Sequence, residues 1–217
     1  NQCVSHAEGL LTGDKNAVMA VFDGLIIGGV AMNYAGLSRP ASGVEHYISH
    51  VWDMRSLALG TPADAHGIQC AIGTLQTLRL YEKLLTVKPD KEKALAHAAA
   101  FDYEAWAQQL RAFLGKGAES MIALEAKEGK YDLAKHRDRL ETILSNWPQI
   151  LRIIDEEIPP VSELEALLDL IDAPKTLPEI GISDEELPMI FRCTKDIRDK
   201  YVLSHLAWDL GITEQLI

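Results

Sequence analysis

The sequence predicts an all-α, multi-helix domain, and three observations predict it. Apolar residues recur with a 3.6-residue period along most of the chain, no stretch alternates as a strand would, and the segments between carry proline, glycine and aspartate. The first element spans about 14–34, where Val18, Val21, Phe22, Leu25, Ile26 and Gly29 keep the helical period and Asp14 supplies an early negative charge. Gly24, Gly28 and Gly29 each lower helix propensity by roughly 1 kcal/mol relative to alanine. They are read as allowing close helix packing; a phosphate loop would place them between a strand and a helix.

After the break GLSRP a helix is expected to open at Ser42, where Ser42-x-x-Glu45 has the spacing of a capping box. His46 and His50 then stand four apart on one face. TPAD announces the next helix, with Thr61 as N-cap, Pro62 at its first position and Asp64 in its first turn; His66 falls about one turn in, and the helix runs through IGTLQTLRLYEKLL. Beyond Pro89 further helices are expected at about 91–101, 103–114, 120–127, 133–144, 147–154 and 162–171, then from Asp184 and over 194–210. The whole of 1–217 reads as one helical domain, with a small helical subdomain over 160–217.

Composition narrows the function. With 47% hydrophobic and 24% charged residues the 217-residue chain is of ordinary globular type, and a net charge of −11 without a basic block argues against nucleic acid as a partner. Cys3, Cys70 and Cys193 lie far apart with no CxxC spacing, so neither a disulfide framework nor a cysteine zinc site is expected, and a reducing, cytoplasmic setting is the default. No run of eighteen apolar residues occurs and GLIIGGVAM is half that length, so no membrane insertion is expected; the first residues also lack a signal-peptide pattern.

The chemistry concentrates in YAGLSRPASGVEHYISH and the HG at His66–Gly67. Two histidines at i and i+4, with a third brought from a neighbouring helix, can hold a divalent metal through imidazole nitrogen. HxxxH alone more often marks structural or exposed residues, and His6, His97, His136 and His205 stand isolated. Ser38 and Arg39 precede the capped helix, where a hydroxyl, a guanidinium and a helix N-terminus all favour an anion; a surface ion pair for Arg39 is an equal alternative on spacing alone.

The run AGLSRPASGVEHYISHVWDM followed by HGIQCAIGTLQTLRLYE resembles the glycerol-1-phosphate dehydrogenases of the iron-containing alcohol dehydrogenase and dehydroquinate synthase superfamily, over about 1–82. The resemblance implies the all-α C-terminal domain of that fold. It implies that His46 and His66 are metal ligands and that His50 lies near the reacting centre as a catalytic residue; Ser38 and Arg39, read above as a candidate anion site, are then expected to receive the substrate phosphate. It further implies one catalytic zinc, or nickel in some bacterial members. The activity implied is NAD(P)H-linked reduction of dihydroxyacetone phosphate to sn-glycerol 1-phosphate, by a full-length enzyme expected to be a homo-oligomer. In that family an N-terminal α/β domain carries the dinucleotide loop and an aspartate that completes the metal site. Neither is within these 217 residues, so the chain is expected to be the C-terminal part of such an enzyme and inactive alone. Val44 stands where many members carry a small polar residue. A glycerol dehydrogenase-like polyol dehydrogenase, a dehydroquinate synthase-like lyase and a non-catalytic helical fragment are the alternatives. The lyase would carry a phrase like NFGHTxGH before its first ligand in place of SRPASGVEH.

Overall fold

The computed structural model describes residues 2–38 and 41–217. Among these the order is α1 (Gln2–Ser5), α2 (Ala7–Leu11), α3 (Lys15–Ala35), α4 (Val44–Leu59), α5 (His66–Leu84), α6 (Lys91–Ala99), α7 (Tyr103–Leu114), α8 (Ala118–Glu128), α9 (Leu133–Glu157), α10 (Val161–Leu170), α11 (Leu187–Thr194), α12 (Leu203–Asp209) and α13 (Thr213–Leu216), with no strand. The all-α expectation holds. Aspartates open four of the helices: Asp14, Asp90, Asp102 and Asp132 accept hydrogen bonds from the backbone N–H groups of Ala17, Lys93, Ala105 and Lys135 at 2.9–3.0 Å. Each such cap stabilises its helix by about 1 kcal/mol.

Four local expectations need correction. Helix α4 begins one residue later than a Ser42 cap would place it, because Gly43 takes the cap position in an extended conformation. Glu45 does reach back, but its Oε1 accepts the Gly43 N–H at 2.8 Å. Helix α5 begins at His66 itself, with Ala65 as N-cap. Thr61 is engaged in ending α4: Gly60 is left-handed (φ 69°), its N–H bonds to Leu57 O, and the Thr61 N–H bonds to Ser56 O at 3.0 Å, the pattern of a Schellman turn. The expected helices over 133–144 and 147–154 are one, α9, which continues through Pro148. The helix expected over 194–210 forms only in its second half, as α12. Residues 195–202 leave the helical path because Lys130 Nζ donates to the Lys195 and Arg198 carbonyls at 2.8 and 2.6 Å.

Helix α4 buries Val44, Tyr47, Ile48, Val51 and Trp52, a helical stripe that leaves His46 and His50 on a neighbouring face. Each such side chain contributes on the order of 1.5–3 kcal/mol when fully buried. Helix α5 is buried on most sides from Gln69 to Leu84 and lies against α4. Two clusters form the core. In one, Ile48, Val51 and Trp52 meet Ile72, Leu110, Ile190 and Trp208; in the other, Leu80 and Leu84 meet Leu140, Phe191, Leu203 and Leu216.

Polar side chains knit the C-terminal segment into this core. Asp209, fully buried, accepts from Arg139 Nε and Nη2 at 2.9 and 2.8 Å and from the Tyr201 hydroxyl at 2.8 Å. Asp196 accepts from Trp106 Nε1 at 3.1 Å and from the Tyr131 hydroxyl at 2.8 Å.

His205, by contrast, is buried against Tyr201 with neither ring nitrogen hydrogen-bonded. Burial pushes its pKa down to about 4, so the folded protein holds it neutral. An unfolded histidine titrates near 6.5, so this stabilisation is complete above about pH 6.5 and is lost as pH falls toward 4. Over that window roughly 3 kcal/mol should disappear. In His205→Phe, which keeps the stacking surface, the urea-denaturation stability should fall less steeply between pH 6.5 and 4 than in the wild type; parallel profiles would contradict the assignment.

Helix α3 was expected to pack through its glycines. Gly24 lies against Cys3, where an added Cβ would sit 3.0 Å from Sγ, but Gly28 and Gly29 face open space. Of the 21 residues of α3 only Ala17 and Ala20 are buried, while Leu25 is 70% and Tyr34 94% exposed. By length and composition the helix is also long and apolar enough to cross a membrane, although it contains no run of eighteen consecutive apolar residues. The periodicity places the apolar residues correctly along a helix; it carries no information on what lies against them.

Candidate metal centre

The three histidines come together where the start of α5 lies against the first half of α4. His46 and His50 project from α4 one turn apart, and His66, the first residue of α5, completes the group. The ring centroids lie 4.6 Å apart for His46–His50, 4.6 Å for His46–His66 and 5.7 Å for His50–His66. This close approach depends on Gly73. A Cβ there would lie 2.9 Å from Glu45 O, the residue before His46.

Hydrogen bonding fixes how His66 is presented. Ser49, fully buried, has one hydroxyl proton and donates it to Gln69 Oε1 at 2.6 Å. The Gln69 amide is oriented in turn, since Nε2 donates to Asp53 Oδ1 at 3.1 Å. Ser49 Oγ also stands 2.8 Å from His66 Nδ1, and with its proton committed it must accept there. The neutral tautomer that satisfies these contacts carries its proton on Nδ1, and the Nε2 lone pair faces the Cys70 thiol at 3.5 Å. A carboxylate, an amide and a hydroxyl in series thus set the tautomer and ring orientation, as the outer partners of metal-bound histidines do.

Burial, reinforced by neighbouring imidazoles, lowers the pKa of both His46 and His50. These two rings are therefore biased toward the neutral form with nitrogen lone pairs, the form that ligates a metal. The donor set fits a divalent ion on this ground.

Cys70 belongs to the same group. Its Sγ lies 3.5 Å from His66 Nε2 and 4.0 Å from His46 Nδ1. One ligand atom from each of His46, His66 and Cys70 falls within 4.8 Å of the others. The expectation of no cysteine-containing metal site thus meets a cysteine among the donors. A search for paired cysteines passes over it, although His66-x-x-x-Cys70 has the same i, i+4 spacing as the histidine pair.

A cleft of 390 Å³ adjoins the cluster, lined by Ser38, His46, His50, Arg198 and Lys200 among others. Lys200 Nζ donates to Ser38 Oγ at 2.6 Å. Both cations act on His46, depressing its pKa further after burial and His66. Sequence reasoning placed Ser38 at an anion site but missed Arg198 and Lys200, which arrive from 160 residues away on the non-helical 195–202 segment. Arg39 lies outside the described residues.

The chain is similar to NAD(P)+ glycerol-1-phosphate dehydrogenases, mostly over their C-terminal portion. It is 25% identical over 182 residues to that of Halalkalibacterium halodurans, covering 84% of this chain and 35% of the relative. It is 44% identical over 72 residues to that of Korarchaeum cryptofilum, covering 33% and 23%, and 51% identical over 69 residues to that of Pyrococcus furiosus, covering 32% and 19%. The chain thus spans about a third or less of the length of these relatives. No family model and no solved structure matches it.

Proposed function

We propose that this chain is the metal- and substrate-binding helical domain of an NAD(P)-linked sn-glycerol-1-phosphate dehydrogenase that reduces dihydroxyacetone phosphate. The observation that carries the reading is the oriented histidine cluster opening onto a cleft that holds two cations. His46 and His66 are the proposed ligands of a divalent ion, zinc or nickel, and Ser38 and Arg39 the proposed receivers of the substrate phosphate, joined by Arg198 and Lys200. When bound, the metal supplies Lewis acidity at the substrate carbonyl oxygen and NAD(P)H supplies the hydride.

The chain's own residues then have distinct tasks. The cations hold the phosphate and so fix the carbonyl end beside the imidazoles, converting an encounter into a positioned reaction. His50 is the proposed proton donor to the product oxygen; it rests mostly neutral, and its lowered affinity for protons favours giving the proton up when it is charged. The Ser49–Gln69–Asp53 series keeps His66 from turning away.

Isothermal titration of the chain with zinc tests the ligand assignment. We expect one site in the wild type, and His66→Ala and His46→Ala should each weaken it by at least about tenfold, the lower end of what loss of even an outer-sphere partner costs. Binding that is indifferent to both substitutions would remove the metal from this cluster and with it the reading.

A further inference from the structure

We infer a second small-molecule site in this chain, apart from the histidine cluster: a cavity walled by α6, α7, α11, α12 and α13 that takes an uncharged, planar heteroaromatic molecule through a hydrogen-bond acceptor. The cavity measures 310 Å³ and shares no lining residue with the cleft beside His46 and His50. It therefore stands or falls independently of the metal reading.

The lining sets the shape of the ligand. Phe101, Trp106 and Trp208 border the cavity, with the Phe101 ring 6.2 Å from that of Trp106 and 5.8 Å from that of Trp208, and Leu110 and Met189 add aliphatic surface. Such walls stack on flat rings, and a volume near the lower end of the small-molecule range suits one or two fused rings.

Two polar groups set its hydrogen bonding. Trp208 is only 6% exposed and Thr213 only 9%, yet among the described residues neither the Trp208 indole N–H nor the Thr213 hydroxyl has a hydrogen-bond partner. Trp106, the other indole at this cavity, gives its N–H to Asp196. Neither unpaired group is sealed in the protein as Trp52 Nε1 is, and both residues line the cavity. Unpaired polar groups at buried positions cost free energy, so they define what a ligand must bring: an acceptor for the indole N–H, with the hydroxyl able to give or receive a second bond.

Charge sets the rest. Both cations at the cavity are already neutralised, Lys195 by Asp196 at 3.0 Å and Arg192 by the two oxygens of Glu214 at 2.7 Å. The remaining carboxylate, Asp102, is exposed and caps α7. An ion entering the interior would find no free counter-charge there, whereas a neutral ring needs none.

Titration of the metal-free, nitrogen-15-labelled chain with benzimidazole at mildly basic pH, where this probe is uncharged, tests the inference. Indole is the control, because it has the same fused-ring outline and lacks the ring acceptor. The chain has four tryptophans, and the indole N–H resonance of Trp208, assigned by its absence from Trp208→Phe, should move on adding benzimidazole. The shift should saturate with a Kd of about 1 mM or tighter, and indole should bind about tenfold more weakly. A Trp208 resonance that stays in place, or equal affinities for the two probes, would overturn the inference. Ala105→Phe fills the cavity from α7 and leaves every tryptophan in place, so in this variant, checked for its fold by circular dichroism, the Trp208 resonance should no longer respond to either probe. An unchanged response there would put the binding elsewhere and equally overturn it.

Discussion

Gly73→Val is expected to disable the proposed metal centre without touching a proposed ligand. Gly73 lies seven residues after His66, two turns along the same face of α5, where that helix meets the backbone of Glu45. A Cβ would sit 2.9 Å from the Glu45 carbonyl oxygen and 3.4 Å from its Cα, both backbone atoms that cannot swing aside. Inserting carbon into such a contact costs typically 1–3 kcal/mol. Alanine would regain about 1 kcal/mol of that in helix propensity, so valine, whose branched side chain regains less, is the cleaner test. We expect the melting temperature and the zinc affinity to fall together. Unchanged values for both would show that α4 and α5 separate freely and that the ligand spacing is not set here.

Asp209→Ala should produce the largest loss of stability of the substitutions considered. The carboxylate is fully buried and neutralises the half-buried guanidinium of Arg139 through two hydrogen bonds. Removing it strands a cation, whose cost is about 3–5 kcal/mol, and also orphans the Tyr201 hydroxyl. Arg139 keeps one acceptor, the Lys130 carbonyl at 2.7 Å, which places the expected loss toward the lower end of that range. Replacing both partners, Arg139→Met with Asp209→Leu, should recover most of the loss, because a buried ion pair is worth little relative to packed apolar groups. Urea denaturation of the single and double variants measures this. A double variant as unstable as Asp209→Ala would show that the network has a structural role beyond charge pairing.

How much of this was legible in the sequence depends on the range of the interaction. The helices of the first half follow from local periodicity, and His46, His50 and His66 could be grouped because two share a helix and the third opens the next. The helix starts failed where one residue had two candidate partners. Thr61 has the type and spacing of an N-cap, but its N–H closes α4, and this competition is visible only once Gly60 is known to be left-handed. The 194–210 segment failed for a longer-range reason. Its helical pattern is overridden by Lys130, whose ammonium takes the Lys195 and Arg198 carbonyls. Cys70 is legible by its i, i+4 spacing to His66, a signal that the spacing between cysteines does not carry.

The Lys130 contacts also bear on the thermodynamics of ligand capture. Loops that order only when a ligand arrives subtract the entropy of that ordering from the affinity. The segment that brings Arg198 and Lys200 to the cleft is instead anchored from beneath by a buried ammonium, so its backbone freedom is lost when the protein folds. An anion entering the cleft meets cations on a settled main chain and has only side-chain rotamers left to restrict. Affinity at that cleft is thereby coupled to the integrity of the hydrophobic core, and the two should decline together on warming.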